Sequence, residues 1–149
     1  MFVECSRQIA ASPAQVYQAV ADYGPARSRW LPANYSNLVL VSGSSGAGTR
    51  ARFHLKVGPR ERDYDMLIEE PAVGSMLKEK DQSSSMVFTW RVEARHNGSS
   101  VTLSSQWNGG GGIRGIFERL FAPIGLRRTL TAVLAGLDQY VRGEDKAPH

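Results

Sequence analysis

The sequence predicts an α+β domain: a curved antiparallel sheet, two short helices near the N-terminus and one long C-terminal helix. Three observations predict it. Between residues 35 and 107 apolar side chains recur at every second position in segment after segment, the pattern of strands with one dry face. Before that run, Ser12-Pro13 opens a helical stretch. After the glycine run at 109–112, residues 113–141 carry apolar side chains at helical spacing. The chain has 149 residues, 42% of them hydrophobic and 21% charged, which is the make-up of one globular domain with its own core.

Residues 2–10 alternate loosely and form the first strand. Ser12 is a good N-cap and Pro13 suits the first helical position, so residues 14–22 form a helix with Val16, Tyr17 and Val20 turned inward. Gly24-Pro25 breaks it, and a short second helix over 26–30 ends before Pro32. The period then changes to two. A strand at 35–42 leads into a glycine-rich turn at 43–48. Over 49–57, Ala51, Phe53, Leu55 and Val57 share one face, and Arg50, Arg52, His54 and Lys56 the other. After Gly58-Pro59, Tyr64, Met66 and Ile68 alternate against Asp63, Asp65 and Glu69, with a turn at 71–74. The strand at 75–82 leaves its facing open: Lys78 or Glu79 points inward, and a buried charge needs a partner or a ligand. Phe88, Trp90, Val92 and Ala94 mark the next dry face. Asn97-Gly98 is a hairpin turn, and Val101, Leu103, Ser105 and Trp107 follow on the dry side.

The long helix carries two apolar stripes. Ile116, Phe117, Leu120, Phe121 and Ile124 form the first; Leu130, Val133, Leu134, Leu137 and Val141 form the second. They are out of phase by about 100° on a helical wheel. Pro123 lies between them, which predicts a kink near Pro123. The domain therefore spans residues 1–142, and 143–149 form a disordered polar tail.

Charge and composition exclude several function classes. The net charge is +4, with 14 Arg and 4 Lys scattered along the chain, so no specific nucleic-acid partner is expected. Cys5 is the single cysteine, and no His, Cys and carboxylate cluster has ligand spacing; neither a metal nor a cofactor is expected. The glycine runs at 43–48 and 109–112 lack the strand–loop–Lys-Ser/Thr context of a nucleotide loop. No apolar run approaches the ~20 residues that span a bilayer, and no basic-then-apolar leader opens the sequence, so the expected location is cytoplasmic.

One long helix laid across a curved sheet leaves an apolar gap where the two diverge, and such a gap suits a greasy molecule. Its expected lining is Phe53, Leu55, Tyr64, Met66, Trp90, Ser105 and Trp107 from the dry face. Phe117 and Phe121 line it from the helix, and Trp30 and Tyr35 stand at the mouth. The cavity is expected under residues 116–124. His54 faces water beside Arg52 and Lys56, and Asp63 and Asp65 share that outer face, which argues against a general base among them. Tyr64 is the candidate catalytic residue.

The segments Ile9-Ala-Ala-Ser-Pro-Ala-Gln-Val-Tyr17 with Val20 and Asp22, Trp30-Leu-Pro32, Gly46-Ala-Gly-Thr-Arg50, Glu69-Glu-Pro71 and the helical Arg127-Arg128 carry a resemblance. The chain resembles the START-like (SRPBCC) superfamily with the helix-grip fold. Within it, the chain is similar to the polyketide cyclase/dehydrase and lipid-transport family over nearly its whole length. The resemblance implies a START-like ligand-binding domain whose partner is a small hydrophobic ligand: a lipid, an isoprenoid or quinone, or a polyketide-like aromatic. The alternative it implies is a polyketide cyclase/dehydratase-type enzyme using the same cavity. A cluster of polar groups inside the cavity favours the enzyme, and a wholly apolar one the carrier. The basic helix, with Arg114, Arg119, Arg127, Arg128 and Arg142, adds a transient membrane-surface contact as a third role, though its apolar face is already used internally.

Overall fold

The structure is a computed structural model that describes residues 2–24, 26–108 and 123–146. Its first helix, α1 (Pro13–Ala21), starts as its sequence dictates: Ser12 is extended and its side-chain oxygen accepts the Gln15 N–H at 3.2 Å. A four-residue helix, α2 (Arg27–Trp30), stops at the extended Leu31, which precedes a proline. Seven strands follow the alternation of the sequence: β1 (Phe2–Ile9), β2 (Tyr35–Ser42), β3 (Arg50–Val57), β4 (Arg60–Ala72), β5 (Met76–Asp81), β6 (Val87–Arg95) and β7 (Gly98–Gln106). They make one antiparallel sheet in the order β1-β7-β6-β5-β4-β3-β2. The C-terminal helix α3 (Pro123–Lys146) packs on this sheet and on both short helices, which is the helix-grip arrangement.

The sheet's dry face is built by parity. Ala51, Leu55, Tyr64, Met66, Ile68 and Trp90 are all buried, with their sequence neighbours turned outward. On α3 the packed stripe is Leu126, Leu130, Val133, Leu134, Leu137 and Val141, each essentially without exposure. Full burial of one such side chain stabilises by about 1.5–3 kcal/mol. Gly136 lets α3 touch α2: a Cβ there would collide with the Trp30 carbonyl oxygen.

Three expectations are corrected. β4 runs through Pro71, because the register with β5 shifts between Glu69 and Ala72, and an irregularity tolerates a residue with no N–H. Ile124, expected on the buried stripe, is 72% exposed. The expected tail begins too early, since α3 continues to Lys146 and makes residues 143–146 helical. The expected kink near Pro123 and the half-helix before it lie outside the described residues. The open question of β5 resolves through Leu77, which is fully buried and carries Glu79 and Asp81 to the inside with it.

Two polar anchors fix the elements around the interior. Glu70 accepts the Tyr17 hydroxyl at 2.6 Å and the Ala47 N–H at 2.7 Å, clamping the 43–48 turn to α1. Asp138 on α3 receives Arg7 of β1 at 2.7 Å and Arg142 at 2.5 Å. Burial by itself would raise the Asp138 pKa, but the hydrogen bonds from Arg7 and Arg142 outweigh it and hold the carboxyl below its ordinary range. Arg127 Nη1 donates to the Glu4 carbonyl at 2.9 Å, a second tie between β1 and α3.

Candidate functional site

The interior holds a buried polar cluster at one end of an apolar cavity. Three elements supply it. Tyr23 follows α1 in a turn held by its own N–H to the Ser44 carbonyl at 2.9 Å. Arg27 opens α2, and Glu79 comes from β5 because Leu77 sets that strand's parity. Glu79 accepts three hydrogen bonds. Arg27 Nη1 reaches its Oε2 at 2.9 Å, the Tyr23 hydroxyl donates to the same oxygen, and Trp90 Nε1 reaches Oε1 at 3.1 Å. Arg27 Nη2 donates to the Val20 carbonyl. The guanidinium carbon lies 4.1 Å from the Tyr23 ring centre, 4.9 Å from that of Trp30 and 5.5 Å from that of Trp90. Trp30 meets Trp90 edge to face at 5.9 Å.

Arg27 and Glu79 are only 4% and 5% exposed. Removing two charges from water is costly unless geometry and further hydrogen bonds compensate. Here the three donors on the carboxylate and the three ring faces around the guanidinium do so. Burial pushes the phenols of Tyr23, Tyr35 and Tyr64 up from their ordinary value, so all three hold their protons at neutral pH. They can donate a hydrogen bond or a proton, and they are not bases.

The cavity beside this cluster has a free volume of about 20 Å³, room for a water molecule or two. Tyr23, Arg27, Glu79 and Trp90 form its polar end. Leu31, Tyr35, Leu38, Phe53, Phe88, Leu103, Leu130 and Val133 form the rest. It lies between sheet and helix as expected, beneath Leu130 and Val133; the expected position beneath 116–124 falls mostly outside the described residues. Its own side chains nearly fill it.

Of the residues singled out from sequence, Tyr35, Phe53 and Trp90 reach the cavity wall. Tyr64 stands one layer back, 5.5 Å from Phe53 and 6.0 Å from Phe88 between ring centres, with the Arg62 guanidinium 5.0 Å from its own ring. Trp30 is buried behind Arg27 instead of standing at a mouth. Leu55, Met66, Ser105 and Trp107 are buried but not on the wall. Phe117 and Phe121 lie outside the described residues. On the outer face, His54 Nδ1 is 2.7 Å from Asp63, and Asp65 pairs with Arg50 at 2.7 Å and Arg52 at 3.4 Å. The hydrogen bond from Arg50 lowers the Asp65 pKa. These groups border a wider, open surface groove in which the charges are matched to one another. Among the described residues no three His, Cys, Asp or Glu side chains gather as metal ligands.

Sequence reasoning missed Tyr23 and Arg27 and left the inward turn open between Lys78 and Glu79. Two signals were present. Arg27 has aromatic residues four positions before and three after it, and the apolar Leu77 shares a strand face with Glu79.

Residues 3–142 match a family model described as polyketide cyclase / dehydrase and lipid transport. Among solved structures, the chain is similar to the KanY protein, known in solution, at 38% identity. That match covers 96% of this chain and 98% of KanY with a TM-score of 0.85. Protein TTHA0849 from Thermus thermophilus matches at 19% identity, 98% and 100% coverage and a TM-score of 0.76. Ara h 8.0201 matches at 14% identity, 96% and 98% coverage and a TM-score of 0.64. The last two show the shared fold alone. No curated protein matches the chain in sequence.

Proposed function

Because this chain belongs to the polyketide cyclase / dehydrase and lipid transport family, we propose that it binds a small hydrophobic molecule between the sheet and α3. The domain of residues 1–142 is the binding unit. The observation that carries this reading is the cavity itself, apolar on most of its wall and polar at one end. Its size narrows the choice among lipid, isoprenoid, quinone and polyketide-like aromatic. A free volume of about 20 Å³ admits a ligand only if side chains move aside, and a compact ring system asks for less movement than a long alkyl chain. A polyketide-like aromatic is therefore the favoured ligand.

Trp90 in the wall supplies the assay. Compact bicyclic and tricyclic aromatics are expected to change its fluorescence saturably and at lower concentration than fatty acids or prenyl quinones. Native mass spectrometry of the purified protein checks for a molecule already bound. A panel in which no apolar compound binds refutes the reading.

A second reading, an enzyme of the cyclase/dehydratase type, is favoured by one specific observation: the cavity is not wholly apolar. Tyr23 and Tyr35, held protonated, are the groups that can act as acids there. The Glu79 carboxylate oxygens are already engaged by three donors. Turnover of a poly-β-ketone analogue that falls sharply in Tyr35→Phe would support the enzyme; binding without turnover would support the carrier.

A further inference from the structure

The Glu79 carboxylate is fully engaged, but the Arg27 guanidinium is not. Nη1 serves Glu79 and Nη2 serves the Val20 carbonyl, whereas Nε–H is buried and has no acceptor among the described residues. Arg27 is 4% exposed and forms part of the cavity's polar end. Behind it, the equally buried Trp30 also has an indole N–H with no acceptor among the described residues. A buried donor left unsatisfied is costly, which makes each such group worth explaining. Both Glu79 oxygens already accept hydrogen bonds, so what this end of the cavity leaves over is the Arg27 Nε–H.

Two further features limit what fits it. The Arg27 charge is already matched by Glu79, so an anionic acceptor would bring an uncompensated charge into a buried site. Of the rest of the wall, Leu31, Phe53, Phe88 and Leu130 have no hydrogen-bonding side chain, and Tyr35 brings one hydroxyl.

We infer that the ligand is a neutral aromatic ketone whose carbonyl oxygen accepts the Arg27 Nε–H while its ring lies on the apolar wall. Carboxylate lipids are selected against by charge. This rests on the cavity reading above and narrows it to one functional group.

The test uses the wild-type protein and three probes: 1-tetralone, tetralin and octanoate. Dissociation constants come from ¹H–¹⁵N NMR titrations that also follow the arginine Nε–H resonances, with Arg27 assigned through Arg27→Lys. Tetralone is expected to bind about 10-fold or more tightly than tetralin, as a hydrogen bond from a charged donor implies. The Arg27 Nε–H signal should move with tetralone and stay in place with tetralin. In Arg27→Lys, which keeps the charge beside Glu79, the tetralone-to-tetralin ratio should fall toward one. If that variant does not fold, the wild-type preference and the signal with the slowest solvent exchange among the arginine Nε–H groups decide. Equal affinity for tetralone and tetralin overturns the inference and leaves the cavity reading standing. Tighter binding of octanoate than of tetralone overturns it too. Absence of binding by all three probes overturns both.

Discussion

Replacing Glu79 with leucine removes the acceptor of three buried donors and leaves the Arg27 charge without its partner. Breaking a buried ion pair from one side costs about 3–5 kcal/mol, because the remaining charge stays desolvated. For a domain of this size each 1 kcal/mol moves Tm by roughly 2–4 °C, so the expected drop is on the order of 6–20 °C. Arg27→Met strands the carboxylate instead and should cost a similar amount. The double variant R27M/E79L strands no charge, and should lie within about 2 kcal/mol of the wild type, as replacement of buried pairs by apolar residues generally allows. The double-mutant cycle therefore predicts a coupling of at least about 3 kcal/mol. The assay is urea unfolding of the four proteins, followed by circular dichroism at pH 7. A loss of less than about 1 kcal/mol in E79L, or an additive cycle, would refute the argument that the pair is desolvated and mutually dependent.

Three other outcomes follow from the packing. Asp138 has a folded pKa below its unfolded value of about 3.9, so its stabilisation is present above that value and is lost as pH falls through the folded pKa. Asp138→Asn should lower stability at pH 7 and flatten the acid limb of the stability curve below about pH 4, as read by unfolding at a series of pH values. Gly136→Ala should destabilise by about 1–3 kcal/mol despite alanine's better helix propensity, since its Cβ meets the α2 backbone. Gly143→Ala, which opens into free space on the same helix, should stabilise by up to about 1 kcal/mol. Glu70→Ala should cost about 1–3 kcal/mol and speed amide hydrogen exchange across the 43–48 turn, whose Ala47 N–H it holds.

The strand faces were legible because alternation with one dry side admits one assignment. Phe53 against His54 and Trp90 against Arg91 could not both turn inward. The start of α1 was legible because Ser12-Pro13 is a local signal that needs no tertiary partner. The polar end of the cavity was not. The alternation in β5 cannot choose between Lys78 and Glu79, an arginine between Ala26 and Ser28 looks like surface until the partner is known, and Arg27 and Glu79 are 52 residues apart. The cavity's size was illegible for a different reason. Fold geometry sets where a gap arises, but rotamers of Phe53, Phe88 and Leu130 set how much of it survives.

The order of the sheet has a consequence for how the chain assembles. From β2 to β7 every strand pairs with its sequence neighbour, so each contact closes a short loop. β1 is different: Phe2 sits opposite Gln106, and Ile9 opposite Ser99. Contacts so distant along the chain carry the larger closure entropy and form against a partner surface already built. The strand that must travel furthest is also the one that holds α3, through Arg7 to Asp138 and the Glu4 carbonyl to Arg127. The two ends of the polypeptide thus act as a mutual latch over a cavity whose walls are mostly made from the middle. A proteolytic nick that frees the first strand would bare an edge of β7 and unpin the roof together, leaving Glu79 and Arg27 open to water with their own strand and helix still in place.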